Sequence, residues 1–450
     1  MAWSKEETIN RDDMRRIQLG RLQKTVAYIH GKNPAYRKRL EKAGVKPEEI
    51  KSLDDIRRLP FTTKQDIRDH YPFKLFTASQ EDIIEFHATS GTTGKPVVVG
   101  YTRNDIEVWT EVMARACTGA GITKNDIVQN IYGYGLFTGG LGTHYGAQRV
   151  GAAVLPMSGG NTQRQIMLMQ DFGSTVLTST PSFLMHIHGA GREMGVDFRK
   201  LKLRVGLLGA EPWSESMRQS IDESFGIKAC DMYGLSEIIG PGVSFECHEV
   251  RKGLHINEDW FYPEIIDPDT GKVLRHGEEG ELVLTTVGNE GQPLLRYRTR
   301  DITRLSQEPC ICGRTLVMME RICGRTDDML IIRGVNFFPS QIESIILQRK
   351  GVSPHYMVVV DRPGSMDEVE VRVEVTDDFM AKAGADLISG SEAEILKDVE
   401  MAKQKVQNLK RDIKDMIGIS VRVTLVPPGT VPRSEGKARR VEDRRRDGRP

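Results

Sequence analysis

Between residues 126 and 234 five short apolar runs recur, DIVQNIYGYG, AAVLPM, TVLTST, LRVGLLGA and KACDMYG, each closed by glycine, serine or a polar turn. Helically spaced segments such as NTQRQIMLMQDFG and PWSESMRQSIDESFG separate them. Parallel strands need long crossovers, and a helix is the usual one, so this alternation predicts parallel βαβ layers. Ligands of such sheets bind beyond the carboxyl ends of the strands, and the glycines and acids of this region cluster at those ends.

The flanks have other textures. Residues 1 to about 80 read as helices and loops. The helical spacing of IQLGRLQKTVAYIHGKNPAYRKRLEKAG breaks at Asn33-Pro34, and TTKQDIRDHY opens a helix on a threonine cap. In DWFYPEIIDPDTGKVLRHGEEGELVLTTV a turn at Pro268-Asp269-Thr270-Gly271 precedes alternating residues, which predicts an antiparallel β unit. Near the end, YMVVVD and EVEVRVEV read as strands. Leu396, Val399, Ala402, Val406, Leu409, Ile413 and Met416 form a helical stripe, and ISVRVTLV reads as a last strand. The expected fold class is therefore α/β, a large N-terminal domain over residues 1–326 followed by a small α+β domain over 327–440. The basic stretch 441–450 reads as a disordered tail.

Composition narrows the function classes. The 450 residues carry a formal net charge of +1, so no global field points to nucleic acid or to an acidic membrane. The opening MAWSKEETINRDDMRR lacks an apolar targeting core, and no run of about 18 apolar residues occurs. A cytoplasmic protein is the expectation, with six cysteines too few for a disulfide scaffold.

The run ATSGTTGKPVVVGYT looks built for a phosphate chain but is not a Walker A loop. Two residues rather than four separate Gly91 from Gly94, and Pro96 after Lys95 offers neither a hydroxyl for Mg²⁺ nor a backbone N–H. Four further segments accompany it: GAEPW (209–213), DMYGLSE (231–237), RYRTRD (296–301) and PRSEGKARR (432–440).

Singly these are weak signals. In this order, with YGYGLFTGGLG, GPGV, GLH, PEIIDP, GELV, DDMLIIRGVN and FPSQIE, they resemble the phenylacetate-CoA ligase family of the adenylate-forming superfamily, from about residue 15 to 443. The resemblance implies the adenylate-forming fold with a mobile C-terminal lid, and ATP, Mg²⁺ and coenzyme A as reactants. Ser90, Gly91, Thr92, Thr93, Gly94 and Lys95 would clamp the triphosphate. Gly209, Ala210, Glu211, Asp231, Met232, Tyr233, Gly234 and Ser236 would border the nucleotide, and Asp301 would take the ribose hydroxyls. Glu237 would hold Mg²⁺, Arg325 would lie near ribose or phosphate, and Lys437 would stabilise charge on the α-phosphate and carboxylate. Asp327 matches the hinge about which the lid turns to admit the thiol.

By the same resemblance Tyr132, Tyr134, Phe137, Ile238, Ile239, Gly240 and Pro241 would line an apolar slot for an aryl acid, although some of these also suit core packing. Ile131 stands where the family often has alanine, so indoleacetate and benzoate-type acids remain open beside phenylacetate. A different AMP acceptor, such as a deazaflavin, is the alternative reading. A small-molecule partner is expected, with no nucleic acid and no membrane, and a homodimer is compatible. Cys310 and Cys312 form a tight pair in CICGR, as zinc knuckles do; with Cys247 and His255, or His248 in place of His255, they could close a structural zinc site. Unligated cysteines in a turn are the alternative. Cys117, Cys230 and Cys323 read as packing residues.

Overall fold

A computed structural model describes residues 2–89, 96–326, 330–333, 335–363, 367–383, 400–433 and 440–446. The chain divides into two compact units: Met1–Thr180, Ala190–Ala210 and Phe225–Ile322 form the first, and Pro181–Gly189, Glu211–Ser224 and Cys323–Pro450 the second.

The first unit is built on the predicted parallel strands. Ala153–Pro156, Ile127–Asn130, Val176–Ser179, Val205–Gly209 and Lys228–Tyr233 lie side by side in that order, all parallel. Short antiparallel strands extend the sheet from Lys228–Tyr233: Ser244–Phe245, Leu254–Ile256, Met318–Met319 and Leu305–Ser306. The antiparallel unit read from the sequence is present as Phe261–Ile266, Gly280–Thr286 and Tyr297–Thr303. Ile83–Ala88 and Val98–Thr102 form a separate antiparallel ribbon whose connection is the phosphate-loop segment.

The expected helix signals act as read. Asn33 ends Arg11–Lys32 and caps Pro34–Lys42 by accepting from the Tyr36 N–H. Thr63 opens Lys64–Asp69 in a capping box with Asp66. This first-turn geometry leaves Lys64, at N1, pointing away from the helix.

In the second unit a four-stranded sheet runs Arg422–Val426, Glu368–Val375, Val352–Asp361 and Val441–Asp443. Ala402, Leu409 and Ile413 of Glu400–Ile417 join its core. Two expectations are corrected here. Met416 is 52% exposed, and the buried face continues instead through the next residue, Ile417. The tail is not disordered from 441: Val441–Asp443 pairs in parallel with Val358–Val360, and Arg445 bridges Asp443 and Asp367. Leu396 and Val399 lie outside the described residues. Among the described residues no helix is long and apolar enough to cross a membrane.

Candidate active site and metal centre

Three motif segments of the first unit begin where parallel strands end: residues 131–137 after Asn130, Ala210 after Gly209, and 234–241 after Tyr233. The last segment doubles back on itself. A Cβ on Gly240 would stand 2.1 Å from the Leu235 nitrogen, and one on Gly234 would stand 2.7 Å from Cα of Pro241. Only glycine lets the two limbs approach, and the Gly240 N–H closes the reversal on the Leu235 carbonyl at 2.9 Å. Ile239 and Ala210 have φ of +131° and +70°, a region that side chains rarely adopt and that costs of order 1–3 kcal/mol. Gly240→Ala is expected to destabilise the fold by about 3 kcal/mol, read as a lowered Tm; an unchanged Tm would mean that the reversal has slack.

Polar groups gather on these segments. The Glu237 carboxylate is buried, its side chain 5% exposed, and it meets the Lys64 ammonium at 3.0 Å. The Tyr233 hydroxyl donates to the buried Asp301 carboxylate at 2.6 Å. Ser236 is held through its carbonyl, which accepts from Tyr101 Oη at 3.3 Å. The Tyr134 hydroxyl accepts from Asn130 Nδ2 at 2.6 Å and faces His144 Nδ1 at 3.0 Å. Burial pushes the Tyr134 phenol up to about 12 and lowers the His144 imidazole.

Several predicted residues already take part in ion pairs or core packing. Asp231 turns its carboxylate to Arg321, 3.7 Å away in a network with Glu246, and Met232 packs in the main core. Tyr132, Ile238 and Ile239 are core residues as well. Tyr134, Phe137 and Pro241 remain as the more accessible wall of the predicted slot, Phe137 being 45% exposed. In the second unit Glu211 accepts from the Ser182 N–H at 2.7 Å, and Arg325 is half-buried in the short strand Gly324–Arg325. Ser90, Gly91, Thr92, Thr93, Gly94, Lys95, Asp327 and Lys437 lie outside the described residues. The phosphate-loop segment is closed at its root, where Thr89 N–H donates to the Val97 carbonyl at 3.0 Å and Val97 N–H to Thr89 Oγ1 at 3.0 Å. Lys64 and Arg321 were not foreseen: no sequence spacing links positions 64 and 237, or 321 and 231.

The cysteine expectation becomes a defined cluster. Pairing of Phe245 with His255 brings Cys247 beside His255, and the hairpin from Leu305 to Met319 carries Cys310 and Cys312 at its tip. The four ligand atoms lie within 4.8 Å of one another, with Cys247 Sγ 3.7 Å from Cys310 Sγ and Cys312 Sγ 3.5 Å from His255 Nε2. Zn–S bonds of about 2.3 Å give a tetrahedral edge of about 3.8 Å, so these separations fit a single four-coordinate ion. A hydrogen bond from Cys247, supported by His255 and Arg314, lowers the Cys312 thiol while the same bond raises Cys247, so the two sulfurs share one proton. His248 is not part of the cluster; its Nδ1 faces the Gly119 carbonyl at 3.1 Å. Cys117 and Cys230 pack in the core, and Cys323 is exposed.

The AMP-binding enzyme family model matches residues 18–289, and that of the AMP-binding enzyme C-terminal domain matches 334–445. The chain is 50% identical to a phenylacetate-coenzyme A ligase of Thermus thermophilus, over 98% of each chain. It is 47% identical to that of Escherichia coli, over 98% of this chain and 97% of the other. Among solved structures, 2-hydroxyisobutyryl-CoA ligase in the postadenylation state, bound to 2-HIB-AMP, matches with a TM-score of 0.89 at 28% identity, covering 98% of this chain and 91% of that one.

Proposed function

Because the chain belongs to the phenylacetate-coenzyme A ligase family of the AMP-binding enzymes, we propose that it converts an aryl acid of the phenylacetate type, ATP and coenzyme A into aryl-CoA, AMP and pyrophosphate. The observation that carries this reading is identity of 50% from end to end with a phenylacetate-coenzyme A ligase.

In the first step a carboxylate oxygen of the acid attacks the α-phosphorus, the bond to the β-phosphate oxygen breaks, and pyrophosphate leaves. In the second, coenzyme A loses its thiol proton to solvent, its sulfur attacks the acyl carbon, and AMP departs with the bridging oxygen. Both reactants of the first step are anions, so the residues proposed for it must neutralise charge and hold the groups in line. Ser90 to Lys95 would take the β- and γ-phosphates, and Lys437 the charge developing at the α-phosphate. Arg325 would lie near the ribose and phosphate, and Asp327 would be the lid's hinge. Glu237 fits a Mg²⁺ ligand: a buried carboxylate that already draws a cation, Lys64, to 3.0 Å. Bound there, Mg²⁺ supplies charge neutralisation to the triphosphate. Gly209, Ala210 and Gly234 would border the adenine through backbone close to the strand ends, Glu211 and Tyr233 through their side chains. Tyr134, Phe137 and Pro241 would offer the aryl ring its apolar contact.

Asp301, oriented by Tyr233, would accept both ribose hydroxyls. Tyr233→Phe is accordingly expected to raise KM for ATP about 10-fold, the worth of one hydrogen bond to a carboxylate, with kcat little changed. An ATP titration of aryl-CoA formation checks this, and an unchanged KM would remove Tyr233 from ribose recognition.

The cluster of Cys247, His255, Cys310 and Cys312 fits a structural zinc. All four positions come from protein, leaving none open for a substrate.

The test of the reading is product analysis with ATP, Mg²⁺ and coenzyme A across phenylacetate, indoleacetate, benzoate and a medium-chain fatty acid. Thioester with an aryl acid, matched by AMP, is the expected result. Silence across the panel with ATP still bound would move the assignment to another acid or another AMP acceptor.

A further inference from the structure

His87 lies two residues before the phosphate-loop segment, buried on the ribbon strand Ile83–Ala88, and none of the roles above uses it. Both of its ring nitrogens face acceptors: Nε2 is 2.6 Å from Glu85 Oε1 and Nδ1 is 3.1 Å from the Leu136 carbonyl. A carbonyl oxygen can only accept, so Nδ1 carries a proton. On the other side Glu85 fixes the ring, and its second oxygen accepts from the Tyr145 hydroxyl at 2.8 Å.

The loop so held is open to solvent at its tip. Gly133 and Gly135 have open space around them, and Leu136 and Phe137 are 64% and 45% exposed. Its position rests on hydrogen bonds: Ala88 N–H to the same Leu136 carbonyl at 2.9 Å, Tyr134 N–H to Ser158 Oγ at 3.3 Å, and the Tyr134 hydroxyl contacts. His87 also belongs to a buried aromatic cluster, 5.4 Å from Tyr101 and 5.5 Å from Trp109 between ring centroids. Each of these three rings ends on a carbonyl of the site, one in the 131–137 loop and two in the 234–241 reversal. His87 reaches Leu136, Tyr101 reaches Ser236, and Trp109 Nε1 donates to Pro241 at 2.9 Å.

We propose that His87 is a positioning residue for the acid: with its ring held in orientation by Glu85, it fastens the 131–137 wall of the acyl slot to the strand that enters the phosphate loop. This rests on the reading of that slot given above. The acid's ring contacts Tyr134 and Phe137 only if the loop keeps its place, so loss of the tether weakens acid binding before anything else. The 234–241 reversal keeps its own anchors on Tyr101 and Trp109.

The test is His87→Phe, which keeps a ring in the cluster and removes both donors. KM for the aryl acid is expected to rise about 10-fold, one hydrogen bond at 1.4 kcal/mol per decade, with KM for ATP within about 2-fold of wild type. His87→Asn, whose side-chain N–H can stand where Nδ1–H does, is expected to keep the acid KM closer to wild type than His87→Phe. Equal rises in both KM values, or a lowered Tm with unchanged acid KM in folded His87→Phe, would overturn the proposal in favour of plain packing. Wild-type turnover of an aryl acid is measured alongside. Its absence would sink the assignment of the slot, whereas its presence with an unaltered acid KM in His87→Phe would sink only the role of His87.

Discussion

Glu237→Gln is expected to lower kcat for aryl-CoA formation by about 100- to 1,000-fold, the usual consequence of deleting one fixed charge that answers transition-state charge. The amide keeps the shape of the side chain but not its charge, and a hard divalent cation binds carboxylate oxygen far better than amide. Lys64, now bonded to Glu237, is 40% exposed and finds water instead, so Tm should hold. A Mg²⁺ titration separates the causes: the half-saturating concentration should rise together with the fall in kcat. Wild-type kcat at ordinary Mg²⁺ would remove Glu237 from the metal's coordination.

Stripping metal from the cysteine cluster, or making Cys312→Ser, is expected to lower Tm by about 5–10 °C while leaving ligase activity at 25 °C largely intact. The hairpin tip has few other anchors, Ile311 between the two cysteines being 88% exposed. Its neighbour Arg314 is fully buried against Glu7, and Thr315 N–H donates to the Glu7 carbonyl at 2.9 Å. Loosening of the tip therefore spreads to the start of the chain. Elemental analysis should return one zinc per chain. Protein purified without chelator that holds no metal, with Tm indifferent to chelation, would contradict the assignment and leave ordinary thiols in a turn.

The parallel strands were legible because each is a short apolar run closed by a turn residue, and the two capped helices because Asn33 and Thr63 are strong caps. The cysteine set was legible for another reason: thiolates and imidazole have few other reasons to converge, so chemistry substituted for geometry. What stayed hidden were pairings across long separations. Nothing local to Lys64 predicts a carboxylate at 237, and nothing in the motif DMYGLSE says that Asp231 turns to Arg321 while Tyr233 turns to Asp301. Strand alternation predicts opposite faces for neighbours, yet both faces of Lys228–Tyr233 are covered, so it could not say which side chain meets a ligand. The acyl segments were ambiguous in the same way. Apolar residues at 132, 238 and 239 serve a core as well as a slot, and only burial distinguishes the two uses.

The central claim is that this chain transfers AMP, and not a phosphoryl group, to the acid. Phenylacetate labelled with ¹⁸O in both carboxylate oxygens, turned over with ATP, Mg²⁺ and coenzyme A, tests it most directly. Attack on the α-phosphorus followed by thiolate displacement predicts one labelled oxygen in AMP and none in the pyrophosphate. Label in inorganic phosphate, accompanied by ADP, would mean attack at the γ-phosphorus and would contradict the account.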